Sequence, residues 1–197
     1  MPKAYVIPDA DVRFDPQWLP RAEADVLFDR LMDEIHWETH RIRMFGREVD
    51  SPRLSCWIGD PGTSYVYSRT RFEPRPWPPA LQALRARIDD VAGVAMNSVL
   101  ANLYRSGNHA MGWHSDDEPE LGPRPVIVSL SLGGTRRFAF RHRHDASKKF
   151  ALDLPHGSLL VMAGDTQANW RHALPRTLRA VPPRLNLTFR RILPPAP

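Results

Sequence analysis

The chain has 197 residues, 42% of them hydrophobic, so it can bury a sizeable core and is globular rather than disordered. Lys and Arg (27) outnumber Asp and Glu (22), and the net charge of +5 favours a polyanionic partner. The lone Cys56 excludes a disulfide framework and a thiolate metal cluster, and is expected to be a small buried residue in a reducing compartment. The length predicts one domain over residues 1–197. No apolar run has the length of a membrane span or the pattern of a secretory signal.

Two helices are predicted in the first half of the chain. Residues 19–37 repeat apolar side chains such as Leu27 and Leu31 on one helical stripe. Residues 79–92 carry a second stripe, and Gly93 after it is typical of a helix end.

From residue 98 onward the pattern changes to short β-branched or alternating runs separated by Gly, Pro and Asp. Such regular spacing favours an antiparallel sandwich or barrel. The predicted fold class is therefore α+β, with the helices first and a β-rich barrel in the C-terminal half. The predicted strands are SVLANLY (98–104), VIVSLSL (126–132), RRFAFRHR (136–143), KFALDL (149–154), GSLLVMA (157–163) and PRLNLTFRRI (183–192).

The last predicted strand alternates apolar and polar side chains, which lie on opposite faces of a strand. On alternation alone, a half-buried strand with its polar face in water is favoured. The alternative is a polar face that lines an enclosed pocket, where two guanidiniums would suit the two ends of a dicarboxylate. Asn102 and Tyr104 share one face of an earlier strand and would extend that pocket. The polar face consists of Arg184, Asn186, Thr188 and Arg190.

A metal site is predicted in GWHSDDE at 112–118, where His114 and Asp116 are two apart at a strand end and project to one side. A solvated acidic turn would have much the same composition, so a third ligand is needed. Two histidines, one carboxylate and an arginine-lined pocket favour the facial triad of non-haem iron, which leaves positions for a 2-oxo acid and dioxygen. Zinc would prefer a closed tetrahedron. The candidates for the third ligand are His142 and His144 in a run typical of an exposed strand end, His156 in a turn, and His172 before the last strand.

Three motifs resemble the AlkB family of iron- and 2-oxoglutarate-dependent nucleic-acid dealkylases: N-x-Y at 102–104, H-x-D-D-E at 114–118 and R-x-N-x-T-x-R at 184–190. The resemblance covers most of the chain and is nearest to the type that repairs double-stranded DNA. It implies a double-stranded β-helix, or jelly roll, with the N-terminal helices packed outside. The implied iron ligands are His114, Asp116 and His172, and the implied 2-oxoglutarate contacts are Asn102, Tyr104, Arg184, Asn186, Thr188 and Arg190.

The resemblance also implies a nucleotide-recognition lid and finger over residues 40–75. An enzyme that acts on a base must extrude it from the stack, and an apolar wedge can fill the gap. A base such as 1-methyladenine is positively charged, so it stacks well on aromatic rings and is favoured by carboxylates. Without the metal motif, these aromatics would be interpreted as packing or alternating strand residues. The implied substrate contacts are the finger Phe45, Gly46 and Arg47, the pocket residues Tyr65 and Tyr67, and the acidic Asp117 and Glu118.

The implied function is oxidative demethylation of N-alkylated bases, such as 1-methyladenine and 3-methylcytosine, in single- or double-stranded DNA. The implied cofactors are Fe(II), 2-oxoglutarate and O2, and the products are formaldehyde, succinate and CO2. The sequence departs from the duplex-repair type in two places. The loop between Arg143 and Phe150 is shorter, and Thr177 and Leu178 lie between Arg176 and Arg179 where that type has a compact basic triplet. Both differences leave the strand preference open.

Three alternatives stand beside this function: RNA as the substrate, hydroxylation of a protein or small molecule, and a non-catalytic nucleic-acid-binding module. We expect a monomer without membrane association that is cytoplasmic, nucleoid-associated in a bacterium or nuclear in a eukaryote.

Overall fold

The computed structural model describes residues 2–44, 47–63, 65–67 and 70–194. Helices α1 (Arg21–Glu34) and α2 (Pro79–Ala92) coincide with the two predicted stripes, and α3 (Thr166–Asn169) is a single turn. Within the described residues, no helix combines the length and apolarity needed to cross a membrane. The strands are β1 (Lys3–Tyr5), β2 (Asp11–Asp15), β3 (Glu38–Met44), β4 (Arg47–Gly59), β5 (Tyr65–Tyr67), β6 (Thr70–Phe72), β7 (Ser98–Tyr104), β8 (Met111–His114), β9 (Ile127–Gly133), β10 (Arg136–His142), β11 (Lys149–Leu154), β12 (Ser158–Ala163), β13 (Trp170–Leu174) and β14 (Arg184–Arg190).

The strands form two main antiparallel sheets. The large sheet has the order β1-β2-β12-β9-β14-β7-β4-β3, and the small sheet has the order β11-β10-β13-β8. One apolar cluster joins them, with Ile127 and Met162 from the large sheet and Phe140 and Trp170 from the small sheet. The predicted jelly-roll core is therefore confirmed. A separate two-stranded sheet pairs β5 with β6.

Both long helices cover the outer face of the large sheet. The stripe of α1 buries Leu31 and that of α2 buries Leu81, in one cluster with Leu187 of β14 and Val99 of β7. Gly93 ends α2 in the left-handed region (φ 72°), where a residue without Cβ is least strained.

Strand β14 lies between β9 and β7 in the middle of the large sheet. Its apolar residues face the helices, and its polar residues face the space between the two sheets. All seven of its residues are buried, because the helices cover one face and the small sheet covers the other. The interpretation of the polar face as water-exposed, which alternation alone favours, is therefore wrong.

Candidate active site

His114 and His172 lie directly opposite each other on the paired strands β8 and β13. Their Nε2 atoms are 3.1 Å apart. The Nδ1 of His114 is 2.8 Å from the carbonyl oxygen of Gly112, so Nδ1–H donates there and the Nε2 lone pair is directed at His172. Two ring nitrogens therefore point at one place on the inner face of the small sheet.

Asp116 completes this cluster two residues after His114. Its backbone N–H donates to Gln167 Oε1 at 2.9 Å, and its Oδ1 accepts from Arg190 Nη2 at 2.8 Å. Burial raises the pKa of this carboxyl, but the charge of Arg190, and to a smaller extent the neighbouring His172 and His114, outweigh burial and lower the pKa to about 2. Asp116 is therefore an ionised ligand. One ligand atom from each of the three residues lies within 4.8 Å of the others.

The buried ring of His172 is held in its neutral form, which is the form that binds metals. Burial and the neighbouring His114 lower the pKa of His172 to about 3. Phe138 stacks on its ring with centroids 5.2 Å apart, which fixes the ring plane. Two imidazoles and one carboxylate fit the donor set of a facial-triad Fe(II) site.

The other downstream histidines lie elsewhere. His142 has a side chain that is only 8% exposed, packed edge-on against Trp170, so its predicted position at an exposed strand end is wrong. His144 is exposed beyond the end of β10. His156 lies in a turn, as predicted, and its Nδ1 accepts from the Gly133 N–H at 2.7 Å.

Arg184 is a buried cation on the opposite wall of the same cavity. Its side chain is 1% exposed, and its Nη2 donates to Ser131 Oγ at 2.8 Å and to Asn186 Oδ1 at 2.6 Å. Within the described part of the chain, its Nε has no hydrogen-bond partner. Burial lowers the pKa of Arg184 to about 10, so the guanidinium is charged at neutral pH but poorly compensated. A carboxylate in the cavity would provide the missing partner.

The remaining predicted 2-oxoglutarate contacts surround Arg184. The β14–β7 register sets Tyr104 opposite Arg184 and Asn102 opposite Asn186. The Arg184 guanidinium lies 5.4 Å from the centroid of the Tyr104 ring. Asn186 Nδ2 donates to Thr188 Oγ1 at 2.8 Å. The structure thus brings all six predicted contacts and all three metal candidates to one cavity.

Arg53 on β4 holds one of the residues that line this cavity, although no motif identified it. Its side chain is buried, and its Nε donates to Asn102 Oδ1 at 2.7 Å. Because the amide oxygen is occupied in this way, the NH2 group of Asn102 remains available as a donor to a ligand. The signal was present in the sequence, since Ser51, Arg53 and Ser55 alternate with apolar residues in SPRLSCW. The strand that contains them was not predicted.

The predicted substrate contacts are less fully described. Phe45 and Gly46 lie outside the described residues, Arg47 begins β4, and Tyr65 and Tyr67 are the ends of β5. At the rim of the cavity, Asp117 forms an ion pair with Arg143. Glu118 is half-buried and precedes a 3-10 turn at Pro119–Leu121. The contacts of these residues with a base, and the lid and finger over 40–75, remain predictions.

The comparison with known protein families agrees with the two sheets and the His-Asp-His cluster. The family model of the 2OG-Fe(II) oxygenase superfamily matches residues 11–190. The chain belongs to this superfamily, and its donor set implies Fe(II), 2-oxoglutarate and O2 as cofactors.

Two relatives place the chain in the AlkB family within this class. The mouse DNA oxidative demethylase ALKBH2 is 40% identical over 184 residues, which cover 88% of this chain and 77% of that protein. The human alpha-ketoglutarate-dependent dioxygenase alkB homolog 3 is 38% identical over 188 residues, which cover 91% of this chain and 65% of that protein. The solved structure of OsALKBH1 shares the fold, with a TM-score of 0.61 at 20% identity over 95% of this chain and 98% of that one.

Proposed function

We propose that the protein is an Fe(II)- and 2-oxoglutarate-dependent dioxygenase that oxidatively demethylates N-alkylated bases in nucleic acids, with 1-methyladenine and 3-methylcytosine in DNA as its substrates. The observation that carries this proposal is the buried, poorly compensated Arg184 in the same cavity as the His-Asp-His cluster. A metal site alone would not need that charge, whereas a metal that works with a dicarboxylate does. The choice of nucleic acid rests on the mouse relative, which is named a DNA oxidative demethylase.

The residues of the chain chiefly hold and orient the reacting groups. His114, Asp116 and His172 would hold the iron, and Arg190 keeps Asp116 ionised and fixes its Oδ1. Arg184 would anchor a carboxylate of 2-oxoglutarate from the other end of β14. Bound iron and 2-oxoglutarate supply an oxidation in which one atom of O2 enters succinate, with loss of CO2, and the other hydroxylates the N-methyl carbon, which then leaves as formaldehyde.

Charge supports an alkylated base as the substrate. The exposed Asp117 follows the ligand Asp116 directly, so a carboxylate lies beside the mouth of the cavity. A cationic methylated base would be able to replace Arg143 as the partner of this carboxylate, which a neutral base would not. The net charge of +5 would attract the polyanionic strand that carries it. We expect such an enzyme to work where nucleic acid is found, in the cytoplasm or nucleoid of a bacterium or in a nucleus.

The test is mass spectrometry of an oligonucleotide that carries one 1-methyladenine, supplied as a single strand, as a duplex and as RNA. With Fe(II), ascorbate and 2-oxoglutarate, the wild-type protein should remove one methylene mass, and omission of 2-oxoglutarate should prevent the loss. His172→Ala should abolish turnover because a metal ligand is lost. His36→Ala is the matched control, since that side chain is 74% exposed and lies outside the cavity.

Two results would contradict the proposal. Full activity of His172→Ala would refute the assigned iron site. A wild-type protein that binds iron and decarboxylates 2-oxoglutarate only when a peptide or small molecule is added would reassign the substrate.

A further inference from the structure

A basic groove crosses the outer face of the small sheet, on the side opposite the iron cavity. Its volume is about 790 Å³, which is within the range of ligand-binding clefts. Strands alternate their side chains, so the inward Phe138 and Phe140 of β10 leave Arg137, Ala139 and Arg141 on the outer face. Ala139 pairs with Ala151 of β11, and these two small residues give the groove an open floor.

The groove is lined by a row of like charges across three neighbouring strands. Arg141 of β10 is paired in register with Lys149 of β11 on one side and with Arg171 of β13 on the other. All three side chains are exposed, and none forms an ion pair with a carboxylate of the described residues. We call these three residues the basic row. Like charges directly opposite each other destabilise a sheet, so this arrangement is unfavourable until an anion lies over it.

An exposed aromatic residue stands at the edge of the same groove. Trp113 of β8 is 42% exposed, which is unusual for so large an apolar side chain. The Arg141 guanidinium lies 4.4 Å from the centroid of its ring. A tryptophan with a cation on one side can stack an unpaired base, because every base has a flat π-face.

One ion pair links the groove to the edge of the small sheet at which the metal ligands His114 and Asp116 lie. Trp113 directly precedes His114 in β8, and their side chains point to opposite faces of the strand. Arg143 lines the groove and forms an ion pair with Asp117 at the cavity rim. A strand held in the groove would therefore lie near Asp117, the residue that follows the metal ligand Asp116.

We propose that this groove binds a single-stranded stretch of nucleic acid, with the basic row on its phosphates and Trp113 stacked on an unpaired base. This proposal rests on the proposed function for the choice of nucleic acid, and adds to it a binding site outside the pocket for the alkylated base. A single strand fits better than a duplex because only unpaired bases offer their faces for stacking.

The basic row is tested by fluorescence anisotropy with labelled, unmodified oligothymidylate at several salt concentrations. The test variant combines Arg141→Gln, Lys149→Gln and Arg171→Gln. Each phosphate contact in a single strand contributes about 0.7 to the slope of log affinity against log salt, so the magnitude of the slope should fall by about 2. Between about 50 and 200 mM salt, the wild-type protein should therefore lose roughly 20-fold more affinity than the variant. An unchanged slope would overturn the proposal.

A matched control removes the same charge from another face. Arg21, Arg30 and Arg87 lie on α1 and α2, which pack on the large sheet, and their replacement by Gln should leave the slope unchanged. A slope reduced as strongly by this control would show that only net charge matters. Polyglutamate is the second control, and an equal loss of its binding in the basic-row variant would overturn the assignment to nucleic acid.

Stacking is tested separately at Trp113. Trp113→Leu should weaken binding of the single strand about tenfold at every salt concentration without a change in slope, and Trp113→Phe should restore most of the affinity. A duplex of equal length should not respond to Trp113→Leu. If duplex binding falls equally, or if Trp113→Leu binds like the wild type, the stacking role is refuted.

Failure of the groove and failure of the proposed function give different results. The oligothymidylate contains no alkylated base, so its binding does not depend on demethylation. If the wild type demethylates and the basic-row variant binds normally, the binding role of the groove is refuted and the proposed function stands. If the variant loses binding but no alkylated base is ever repaired, the groove stands and the proposed function fails.

Discussion

Replacing Arg184 by methionine should stabilise the ligand-free protein and abolish its response to 2-oxoglutarate. The guanidinium is buried and lacks a carboxylate partner among the described residues, so in the absence of a ligand it opposes folding. Methionine fills a similar volume without charge. Arg184, which should bind 2-oxoglutarate, would thus destabilise the protein when no ligand is bound.

The size of the effect follows from the pKa. Burial lowers the pKa of Arg184 well below the usual range of an arginine, to about 10. At about 1.36 kcal/mol per pH unit, burial of the charged form costs roughly 3 kcal/mol. Because a pKa of about 10 still lies above neutral pH, the whole cost is present at pH 7. Methionine would relieve it but would lose the hydrogen bonds to Ser131 and Asn186, worth about 1 kcal/mol each, which leaves a gain of about 1 kcal/mol.

Thermal unfolding with and without 2-oxoglutarate, under anaerobic Fe(II), measures both effects. A gain of about 1 kcal/mol should raise the Tm of Arg184→Met by about 2–4 °C without ligand. The wild type at a 2-oxoglutarate concentration of about 100 Kd should gain about 2.7 kcal/mol, and Arg184→Met should gain almost none. A destabilised Arg184→Met, or one that keeps the full ligand shift, would refute the reasoning.

Arg136 provides the matched control. It is also buried, but its guanidinium donates to the carbonyl oxygens of His109 at 3.0 Å and Pro175 at 2.8 Å. Arg136→Met should therefore be destabilising, because those carbonyls would lose their donors. Similar Tm changes in the two variants would show that hydrogen-bond compensation does not distinguish them.

Two further predictions concern titrating groups outside the cavity. Burial, and then the charge of Glu38, raise the pKa of the Cys56 thiol to about 11. The native protein should therefore react with a thiol-specific disulfide reagent only as fast as it unfolds. Rapid labelling at neutral pH would contradict this prediction. A hydrogen bond from Arg85, assisted by one from Trp77, lowers the pKa of Asp60 below its usual range against the effect of burial. The wild type should therefore be more stable than Asp60→Asn above about pH 4. This difference in unfolding free energy should shrink as the pH falls through the folded-state pKa of Asp60. A difference that grows in acid would contradict the stabilising role of the Asp60–Arg85 ion pair.

Local patterns in the sequence identify much of this protein. The helical stripes predict α1 and α2, and period-two runs predict β7 and β11 with the observed bounds. These elements can be predicted because burial of one face sets the period of their apolar residues, and that period is visible among residues close together in the sequence. The spacing in H-x-D and R-x-N-x-T-x-R likewise assigns side chains to one face of a strand, whatever the partner strand is.

Tertiary structure decided what those faces meet. Alternation in β14 could not distinguish water from an enclosed cavity, because the small sheet that covers its polar face comes from residues 111–174. Its strands β8 and β13 pair His114 with His172, which are 58 residues apart in the sequence. The choice of His172 over His142 depended on the register of β13 against β8, which sets two rings opposite each other. Arg53 was missed because its role depends on Asn102 of the neighbouring strand, 49 residues away. A sequence determines which face a side chain takes on its own strand, but the packing of distant strands determines whether that face becomes surface, core or site.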